Sequence, residues 1–524
     1  METWHPKRPF YAHQQRAFDR IRDLDYHALF MEQRTGKTPI AINKVAYDAE
    51  HGHVDAAIVI APNLLHREWV HTYWNLDWPD HAPPCCSLAW DSRRTSNKSY
   101  VRALELLLTA RGFALLGINI ESIITQSALE YLSRFLRQRK VFAIIDESLD
   151  IGTYSSKRAR VAIRIGRQSK RRLILEGTPT ARGPLMLFSQ FEFLAPGLLG
   201  ATRYTAFCNQ YAVYDPTPRY NNANGRVYHY RVQARDEEGK LIYRNMDVLR
   251  ERVARHSFRV TRDECADIPP KVHEKVLFEL TKKQRNAYDT LRRELRLFLE
   301  NDREIDTAHV LTRLLREQQI ASNFLMPPLP PVLCPQCSGS DADCPVCLGT
   351  GLKEAAKRGS GDVVVIDDDN NPRLIALTNV LERLSDQQGI IWARFNYDIE
   401  VISAWARSMG ISHGLLYGGE EGSDRIEGIE RFMRGEAQLM IGNPHAGGRG
   451  IDLSRASFVV YYSNSWSLRA RLQSEDRAQS LKKREPTLYI DLVADDTIDD
   501  KILDALRHGN DVAMTLLQGA RHDL

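Results

Sequence analysis

The residue types best suited to chemistry are those of Gly36-Lys37-Thr38, which follows the apolar run from Ala28 to Met31. A strand that turns tightly into a helix presents main-chain N–H groups to an anion, and a lysine there adds a point charge. The threonine hydroxyl is a magnesium ligand in loops of this kind. The pattern predicts a site for a nucleotide phosphate with Mg²⁺, and an ordinary glycine-containing helix start is the alternative.

A second pair of reactive residues, Asp146 and Glu147, directly follows the apolar stretch Ala143-Ile144-Ile145. In α/β sheets, ligands bind beyond the carboxyl ends of the strands. In a phosphate-loop enzyme the aspartate there helps to hold magnesium, and the neighbouring glutamate orients the attacking water. A strand that ends in a polar loop is the alternative, and the presence of Lys37 upstream favours the catalytic interpretation.

Arg477 is the third element, and it lies in the second half of the chain within Gln473-Ser474-Glu475-Asp476-Arg477. An arginine delivered to a nucleotide site stabilises the charge on a transferring phosphoryl group. A solvated, charged helix face is the alternative. Taken in order along the chain, the three elements indicate a nucleotide-driven motor.

Two α/β segments must position these residues. Short β-rich runs alternate with amphipathic helical stretches in residues 1–200 and again from about residue 372, which is typical of parallel sheets covered by helices. The strands that this alternation predicts are Ala28 to Met31, Ala56 to Ile60, Phe113 to Ile118, Val141 to Ile145, Arg172 to Leu175, Gly389 to Ala393, Leu415 to Tyr417, Leu439 to Ile441, Phe458 to Tyr462 and Leu488 to Val493.

Composition narrows the class of protein. A chain of 524 residues exceeds one hydrophobic core, so two or three domains are expected. The 71 basic and 67 acidic residues give a net charge of +4, which permits a polyanionic partner without demonstrating one. No apolar run approaches the roughly 18 residues of a membrane span, and no signal peptide is recognisable. We expect a protein of the cytoplasm, or of the host cytoplasm for a phage-encoded chain, with no membrane partner.

Four of the eight cysteines form two C-x-x-C pairs, Cys334 with Cys337 and Cys344 with Cys347, after the proline-rich run Met326 to Pro331. Four thiolates so arranged can enclose one tetrahedral Zn²⁺, and a site with four cysteine ligands is structural because it leaves no position for water. An iron centre or a redox dithiol is the alternative. The spacing predicts a small zinc module at about residues 327–356.

The stretch from Arg203 to Arg262 interleaves tyrosines with arginines. Aromatic and basic residues together suit nucleic-acid binding through stacking and phosphate contact. A tyrosine-rich packing surface between domains is the alternative. Both interpretations stay open at the level of sequence.

In motif order, the chain resembles superfamily 2 helicase-like ATPases of the Swi/Snf type, in a compact form such as phages and bacteria encode. The segments that carry the resemblance are Pro9 to Gln14, Glu32 to Thr38 (motif I), Ile60-Ala61-Pro62 with Trp69 (Ia), Asn119-Ile120-Glu121 (Ib), Asp146 to Leu149 (II), Glu176 to Pro179 (III), Trp392 to Phe395 (IV), Ala446 to Leu453 (V) and Gln473 to Ser480 (VI).

The resemblance implies an α/β fold of two RecA-like parallel-sheet lobes with an inserted zinc module. It places lobe 1 at residues 1–198, a connecting region at 199–270 and lobe 2 at 271–524, interrupted by that module. ATP, Mg²⁺ and Zn²⁺ are the implied cofactors. Lys37, Asp146, Glu147 and Arg477 are the implied catalytic residues, and Thr38 and Asp146 the magnesium ligands.

The same resemblance assigns the remaining site residues. The implied nucleotide contacts are Gln14, Arg34, Thr35, Gly36, Lys37, Thr38, Gly450, Asp452 and Arg477. The implied nucleic-acid contacts, which grip the phosphate backbone, are Pro62, Asn119, Thr178, Gly447 and Gly448. For Asn119 and Thr178, a role in a cap or turn is the alternative.

Three residues depart from the family pattern. Leu149 replaces the usual histidine of motif II, so we expect no polar link between motifs II and III. Arg34 replaces a small residue of the phosphate loop. Ser480 stands where motif VI has its second arginine, which leaves Arg477 in register and bears on the turnover rate.

The sequence thus predicts a nucleic-acid-stimulated ATPase that translocates along duplex or branched DNA, to remodel forks or branches or to displace bound proteins. Two alternatives remain. The first is a helicase that separates strands of DNA or RNA, for which no wedge element is recognisable. The second is a nucleic-acid-binding scaffold with a weak ATPase.

Overall fold

The computed structural model of the chain describes residues 4–180, 183–215, 219–223, 226–230, 232–236, 241–262, 264–265, 270–301, 307–326, 363–418, 422–445, 451–480 and 483–507. The chain forms two compact units. The first comprises residues 1–270, 447–454 and 472–486, and the second comprises residues 271–446, 455–471 and 487–524. Two short segments from the second half of the sequence therefore belong to the first unit.

The first unit is built on seven parallel strands among the residues described, with a separate antiparallel hairpin. In chain order its strands are β1 Tyr26–Met31, β2 Ala56–Ala61, β3 Cys85–Ala89, β4 Phe113–Asn119, β5 Val141–Asp146, β6 Arg171–Glu176, the hairpin β7 Arg219–Ala223 and β8 Arg226–Tyr230, and β9 Ser257–Val260. Across the sheet the order is β3-β4-β2-β5-β6-β1-β9. Because β5 and β1 run parallel in the same sheet, their carboxyl ends lie at the same edge.

Apolar strands and amphipathic helices account for this architecture. The strands β2, β4 and β5 are buried on both faces, as the continuous apolar runs predict for a covered parallel sheet. One apolar core packs against each face. The helices are α1 Ala12–Ile21, α2 Lys37–Glu50, α3 Leu65–Glu68, α4 Trp74–Asp77, α5 Lys98–Thr109, α6 Gln126–Gln138, α7 Lys157–Gln168, α8 Leu187–Leu194, α9 Tyr204–Tyr211 and α10 Met246–Arg255, with a π-helix at Trp69–Tyr73 and 3₁₀ turns at Ser92–Arg94, Ser122–Ile124, Ser148–Ile151 and Pro184–Met186.

The strand β9 lies in the segment from residue 199 to 270 and pairs in parallel with β1, from Ala28 opposite Ser257 to Met31 opposite Val260. The family resemblance implied only a connecting region there. Its four strand residues are half-buried or exposed except Val260, so they carry no apolar run that would indicate a strand. The segment thus completes the first sheet at its edge.

The second unit repeats the parallel α/β plan. Its strands are β10 Lys271–Phe278, β11 Phe324–Leu325, β12 Val364–Val365, β13 Gly389–Trp392, β14 His413–Leu416, β15 Leu439–Gly442, β16 Phe458–Tyr461 and β17 Thr487–Ala494. Six of them form a parallel sheet of order β10-β17-β16-β13-β15-β14. Its helices are α11 Lys282–Asn301, α12 Thr307–Ala321, α13 Pro372–Arg383, α14 Asn396–Ser408, α15 Gly422–Arg434, α16 Leu468–Arg477, which enters the first unit at residue 472, and α17 Ile498–Arg507. The prediction of two parallel-sheet units is confirmed.

Buried charge is prominent in the core of the second unit. Arg373, which is 1% exposed, pairs with Asp499, and Arg471 pairs with Asp491, which is fully buried. Asp398 accepts hydrogen bonds from Ser463 at 2.8 Å and Ser322 at 3.3 Å. Burial raises the pKa of Asp398 to about 7, against the opposing effects of Arg373 and the two hydroxyls.

Several predicted site residues lie outside the described residues. They are the four cysteines of the predicted zinc module and the motif V glycines, Gly447, Gly448 and Gly450. Among the residues described, no group of His, Cys, Asp and Glu side chains is arranged to hold a metal ion. The described helices include none that is both long and apolar enough to cross a membrane.

Candidate nucleotide site

The phosphate loop joins β1 to α2 within the first unit. Gly36 has φ +84°, a left-handed conformation that glycine adopts without strain, and α2 begins at Lys37. The side chain of Gln14 crosses directly over Gly36, where an added Cβ would collide with its amide. That amide donates to the Thr35 carbonyl at 3.3 Å. The loop and Gln14 therefore pack as one surface at the amino end of a 14-residue helix.

Lys37 and Thr35 form hydrogen bonds with main-chain carbonyls at and just after the end of β1. The Lys37 ammonium donates to the carbonyls of Met31 at 2.7 Å and Glu32 at 3.2 Å, and the residue is 8% exposed. The Thr35 hydroxyl donates to the Glu32 carbonyl at 2.7 Å. Carbonyl oxygens are weaker partners for an ammonium than a phosphate, because charge-assisted pairs are the stronger ones. The lysine is thus held at the loop by contacts that an anion can replace.

Asp146 ends β5 and is held by an indole. The Trp69 Nε1–H donates to its carboxylate at 2.8 Å, and the main-chain N–H of Glu147 donates to the other oxygen at 3.0 Å. Trp69 begins the π-helix Trp69–Tyr73, a rare element that is frequent at functional sites. Burial and the adjacent Glu147 carboxylate raise the pKa of Asp146 to about 6. A carboxylate with raised proton affinity beside a second carboxylate favours a cation as a partner.

Glu147 is strained and is oriented by two amides. Its φ of +60° is in the left-handed region, which a non-glycine residue adopts only when its surroundings hold it. Gln33 of the phosphate loop donates to one carboxylate oxygen at 2.7 Å, and Gln473 donates to the other at 3.1 Å. The motif patterns missed Gln33 and Gln473 as partners of Glu147, because they are separated from it by 114 and 326 positions.

These side chains line one cleft of about 460 Å³ in the first unit. Its described lining residues include Gln14, Gln33, Arg34, Gly36, Lys37, Thr38, Tyr73, Asp146, Glu147 and Ser480. The set fits a nucleotide with Mg²⁺. The loop ends at a helix amino terminus, which suits phosphate, the lysine supplies positive charge, and the hydroxyl and carboxylate oxygens suit magnesium.

Of the remaining nucleotide candidates, Arg34 lines the cleft and Asp452 does not. The Arg34 guanidinium donates to the main chain at Asp476 and Ile451, and it lies 3.9 Å from the Asp452 carboxylate. Arg477 is 4% exposed, and it does not line the cleft among the described residues, whereas Ser480 does. The carbonyl of Arg477 accepts a hydrogen bond from the Leu453 N–H at 3.0 Å.

Three predicted nucleic-acid contacts share the carboxyl edge of the first sheet with the cleft. Asn119 ends β4, opposite Ala61, so that Pro62 follows β2 at the same level. Thr178 follows β6, and its N–H donates to the Glu176 carboxylate at 3.1 Å. The Oδ1 atom of Asn119 is buried and has no hydrogen-bond partner among the described residues. The role of each as a phosphate contact stays a prediction.

The expectation that motifs II and III lack a polar link is wrong. Glu176, which is 1% exposed, accepts hydrogen bonds from the N–H groups of Leu149 at 2.8 Å, Gly177 at 3.0 Å and Thr178 at 3.1 Å. The link is made by the main chain of Leu149, so the loss of a histidine side chain there does not remove it. The signal in the sequence that could have predicted this link was Glu176, a charged residue at the end of an apolar strand.

Two family models match the chain. The model described as the SNF2-related domain matches residues 29–324, and the model described as the helicase conserved C-terminal domain matches residues 372–482. The first match includes Lys37, Asp146 and Glu147, and the second includes Arg477. The two matches therefore take in the catalytic candidates of both halves of the sequence.

Similar proteins come from eukaryotes and an archaeon. A mouse SWI/SNF-related regulator of chromatin, subfamily A member 1, is 22% identical over 69% of this chain and 30% of its own length. The fission yeast SWI/SNF chromatin-remodeling complex subunit snf22 is 21% identical over 94% of this chain and 27% of its own length. The Aspergillus fumigatus TATA-binding protein-associated factor mot1 is 21% identical over 72% of this chain and 20% of its own length. The chain thus spans less than a third of the length of these relatives.

A solved structure, the Sulfolobus solfataricus SWI2/SNF2 ATPase core in complex with dsDNA, is similar over 97% of this chain and 92% of that chain. The sequence identity is 18% and the TM-score is 0.40.

Proposed function

We propose a function from one premise, that this chain belongs to the family of the SNF2-related domain. In this proposal the chain is an ATP-dependent motor that translocates along duplex or branched DNA. The observation that carries the proposal is the single cleft lined by Lys37, Thr38, Asp146 and Glu147. Phosphate-loop enzymes bring this set of groups to the transferring phosphoryl group of ATP.

The side chains divide the work of hydrolysis. Lys37 exchanges its carbonyl partners for the phosphates, and Glu147 orients the attacking water, with its carboxylate fixed by Gln33 and Gln473. Thr38 and Asp146 would hold Mg²⁺, which neutralises phosphate charge when bound. Arg477 is the proposed source of positive charge for the transferring group, although it is not among the described residues that line the cleft. Ser480 cannot add a second cation there.

DNA is the proposed track. Family membership and the motif order support a nucleic-acid partner, and the names of the relatives refer to chromatin and to a TATA-binding protein-associated factor. Pro62, Asn119 and Thr178 share the sheet edge of the cleft, so a backbone bound there would lie beside the nucleotide. RNA is the competing ligand in the test below, and the cytoplasm is the proposed location.

The decisive experiment is the ATPase rate of the wild type and of Lys37→Ala, each without nucleic acid and with duplex DNA, branched DNA, single strands or RNA. We expect turnover in the wild type alone, with stimulation by duplex or branched DNA. If no polynucleotide raises the wild-type rate above that of Lys37→Ala, the motor is excluded and a nucleotide-silent scaffold is the better account.

Translocation and strand separation need different readouts. A translocase displaces the third strand of a DNA triplex while the underlying duplex stays paired, whereas a helicase separates the duplex itself. We expect ATP-dependent triplex displacement that Lys37→Ala abolishes. Duplex unwinding at the same rate would favour the helicase.

We also propose that the four cysteines of the predicted module, Cys334, Cys337, Cys344 and Cys347, bind one Zn²⁺. Their C-x-x-C spacing supports this proposal. Atomic emission on the purified chain should find zinc in the wild type and lose it in Cys334→Ser, while Cys86→Ser, at an exposed and unpaired cysteine, keeps it. Iron, or no metal, in the wild type would contradict the zinc assignment.

A further inference from the structure

Arg34 has an unusual backbone conformation for its residue type. Its φ is +66°, in the left-handed region where side chains other than glycine are strained. It also stands at a position of the phosphate loop where the family pattern has a small residue. A strained residue persists when the surrounding structure holds it in place, and its presence is a reason to ask what the side chain does.

The Arg34 side chain joins the phosphate loop to the two later segments of the first unit. Its Nε–H donates to the Asp476 carbonyl at 3.0 Å, and its Nη2–H donates to the Ile451 carbonyl at 2.8 Å. One planar guanidinium thus contacts both segments. A guanidinium offers donors in a fixed fork, which suits it to two acceptors at once.

The Asp476 carbonyl is a natural acceptor. It lies in the last turn of α16, where it also accepts the Gln479 N–H at 3.1 Å, and a cation there interacts favourably with the helix dipole. The Asp476 carboxylate pairs with Arg262 at 2.9 Å, and the Arg262 N–H donates to Glu32 at 3.0 Å. Residues in and next to the phosphate loop therefore hold both the main chain and the side chain of Asp476.

We infer that Arg34 is a positioning residue that fixes the turn bearing Arg477 against the phosphate loop. Arg477 directly follows Asp476, and its own carbonyl is bonded to Leu453 in the other segment that Arg34 contacts. Because Ser480 replaces the second arginine of motif VI, hydrolysis depends on Arg477, and that cation must be held in place. The inference rests on the proposed ATP hydrolysis.

The test begins with Arg34→Gly, which relieves backbone strain and removes the guanidinium. We expect the DNA-stimulated kcat to fall about tenfold, equivalent to about 1.4 kcal/mol in the activation barrier. KM for ATP should stay within twofold, and the melting temperature should not fall. Arg34→Lys, which places a single ammonium there, should restore part of the rate.

A double-mutant cycle separates positioning from direct phosphate contact. If Arg34 acts through Arg477, Arg34→Gly should cause no further fall in kcat when Arg477 is already Ala. A further tenfold fall in the double variant would overturn the inference. So would a raised KM at unchanged kcat, because that result assigns Arg34 to nucleotide binding.

Hydrogen exchange without nucleotide gives a readout independent of turnover. We expect Arg34→Gly to speed exchange of the Leu453 amide and of residues 472–480. Asp496→Gly, at another left-handed residue but in the second unit, is the matched control and should change neither this exchange nor kcat.

Two results overturn the inference in distinguishable ways. Wild-type kcat and exchange in Arg34→Gly, with an active wild type, would remove the role of Arg34 alone. A wild type no more active than Lys37→Ala would remove the proposed function and the inference with it.

Discussion

Two pairs of acidic residues, one pair in each unit, have different surroundings. In the first unit, Asp146 and Glu147 are neighbours at the carboxyl edge of the sheet and line a cleft of about 460 Å³. In the second unit, Asp491 and Asp499 lie in the core and pair with Arg471 and Arg373. The same fold therefore places acidic groups in two electrostatic settings.

The difference separates acidic residues that are suited to catalysis from acidic residues that stabilise the fold. A buried carboxylate paired with an arginine is already compensated, and removing its partner leaves an uncompensated charge. A buried carboxylate beside another carboxylate has a raised proton affinity and favours an incoming cation. Glu147 also has a left-handed backbone, a strain that its surroundings must hold in place. Four substitutions test this contrast.

The largest expected effect is on stability, at the core ion pair of the second unit. Arg373 donates to the Ala321 carbonyl at 3.2 Å and pairs with Asp499. Arg373→Met should lower the free energy of unfolding by about 3 to 5 kcal/mol, because Asp499 is left buried and unpaired. Urea unfolding followed by circular dichroism measures this loss.

The control for that substitution is an exposed pair in the same unit. Arg383 lies 2.9 Å from Glu274, and their side chains are 56% and 35% exposed. Arg383→Met should cost at most about 1 kcal/mol. Equal losses in the two variants would show that burial does not set the value of these pairs.

The next effect is on catalysis. Glu147→Gln keeps the shape of the side chain and removes the charge that orients water, so ATP turnover should fall about 100-fold. Stability should change little, since Glu147 faces the cleft. Glu105→Gln, at a half-exposed carboxylate paired with Arg134, should hydrolyse ATP at the wild-type rate. Normal turnover in Glu147→Gln would end the assignment of Glu147.

A pH dependence should arise from Asp398. Its pKa of about 7 exceeds the unfolded value, so the folded state keeps a proton that the unfolded chain releases. The contribution of Asp398 to the free energy of unfolding is therefore greatest at low pH, and it falls as the pH rises towards 7. Between pH 5 and 7 the wild type should lose roughly 2 kcal/mol relative to Asp398→Asn, which cannot ionise.

The groups that set this titration lie on several elements. Arg373 and the Ser463 and Ser322 hydroxyls favour the ionised form, and Asp499 opposes it; Tyr397 and Tyr462 also interact with Asp398. Unfolding midpoints in urea across this range, for both proteins, give the difference. Parallel pH profiles would rule out a raised pKa at Asp398.

The smallest expected effect is at Glu176. Its carboxylate accepts three main-chain N–H groups, and Glu176→Gln replaces one acceptor oxygen with a donor. The free energy of unfolding of the first unit should fall by about 1 to 2 kcal/mol, because a hydrogen bond to a neutral amide is weaker than one to a charged carboxylate. A melting temperature unchanged from the wild type would show that these bonds contribute nothing measurable.

Much of the fold could be predicted because its central strands are continuous apolar runs. Ten predicted strands correspond to described strands, whereas β3 and the six strands from β7 to β12 were missed. β10 alternates exposed and half-buried residues at the edge of its sheet, so its sequence shows no apolar run. Short polar edge strands acquire their conformation from the neighbouring strand, which lies far away in sequence.

The site divides in the same way. Lys37, Thr38, Asp146 and Glu147 follow from local spacing, and the structure brings them to one cleft. The partners that orient these side chains do not follow from local spacing. The contacts of Trp69 with Asp146 and of Gln473 with Glu147 depend on how distant segments pack, and the Arg34 contacts depend on a strained loop.

The pairing of β9 with β1 has a consequence for synthesis on the ribosome. β1 emerges early, but the strand that covers its outer edge is translated only at Ser257–Val260. The segments 447–454 and 472–486 of the same unit emerge later still. A nascent chain halted near residue 198 would carry an open strand edge, a template for aggregation. We expect such a truncation to need chaperone protection until the later strand is made.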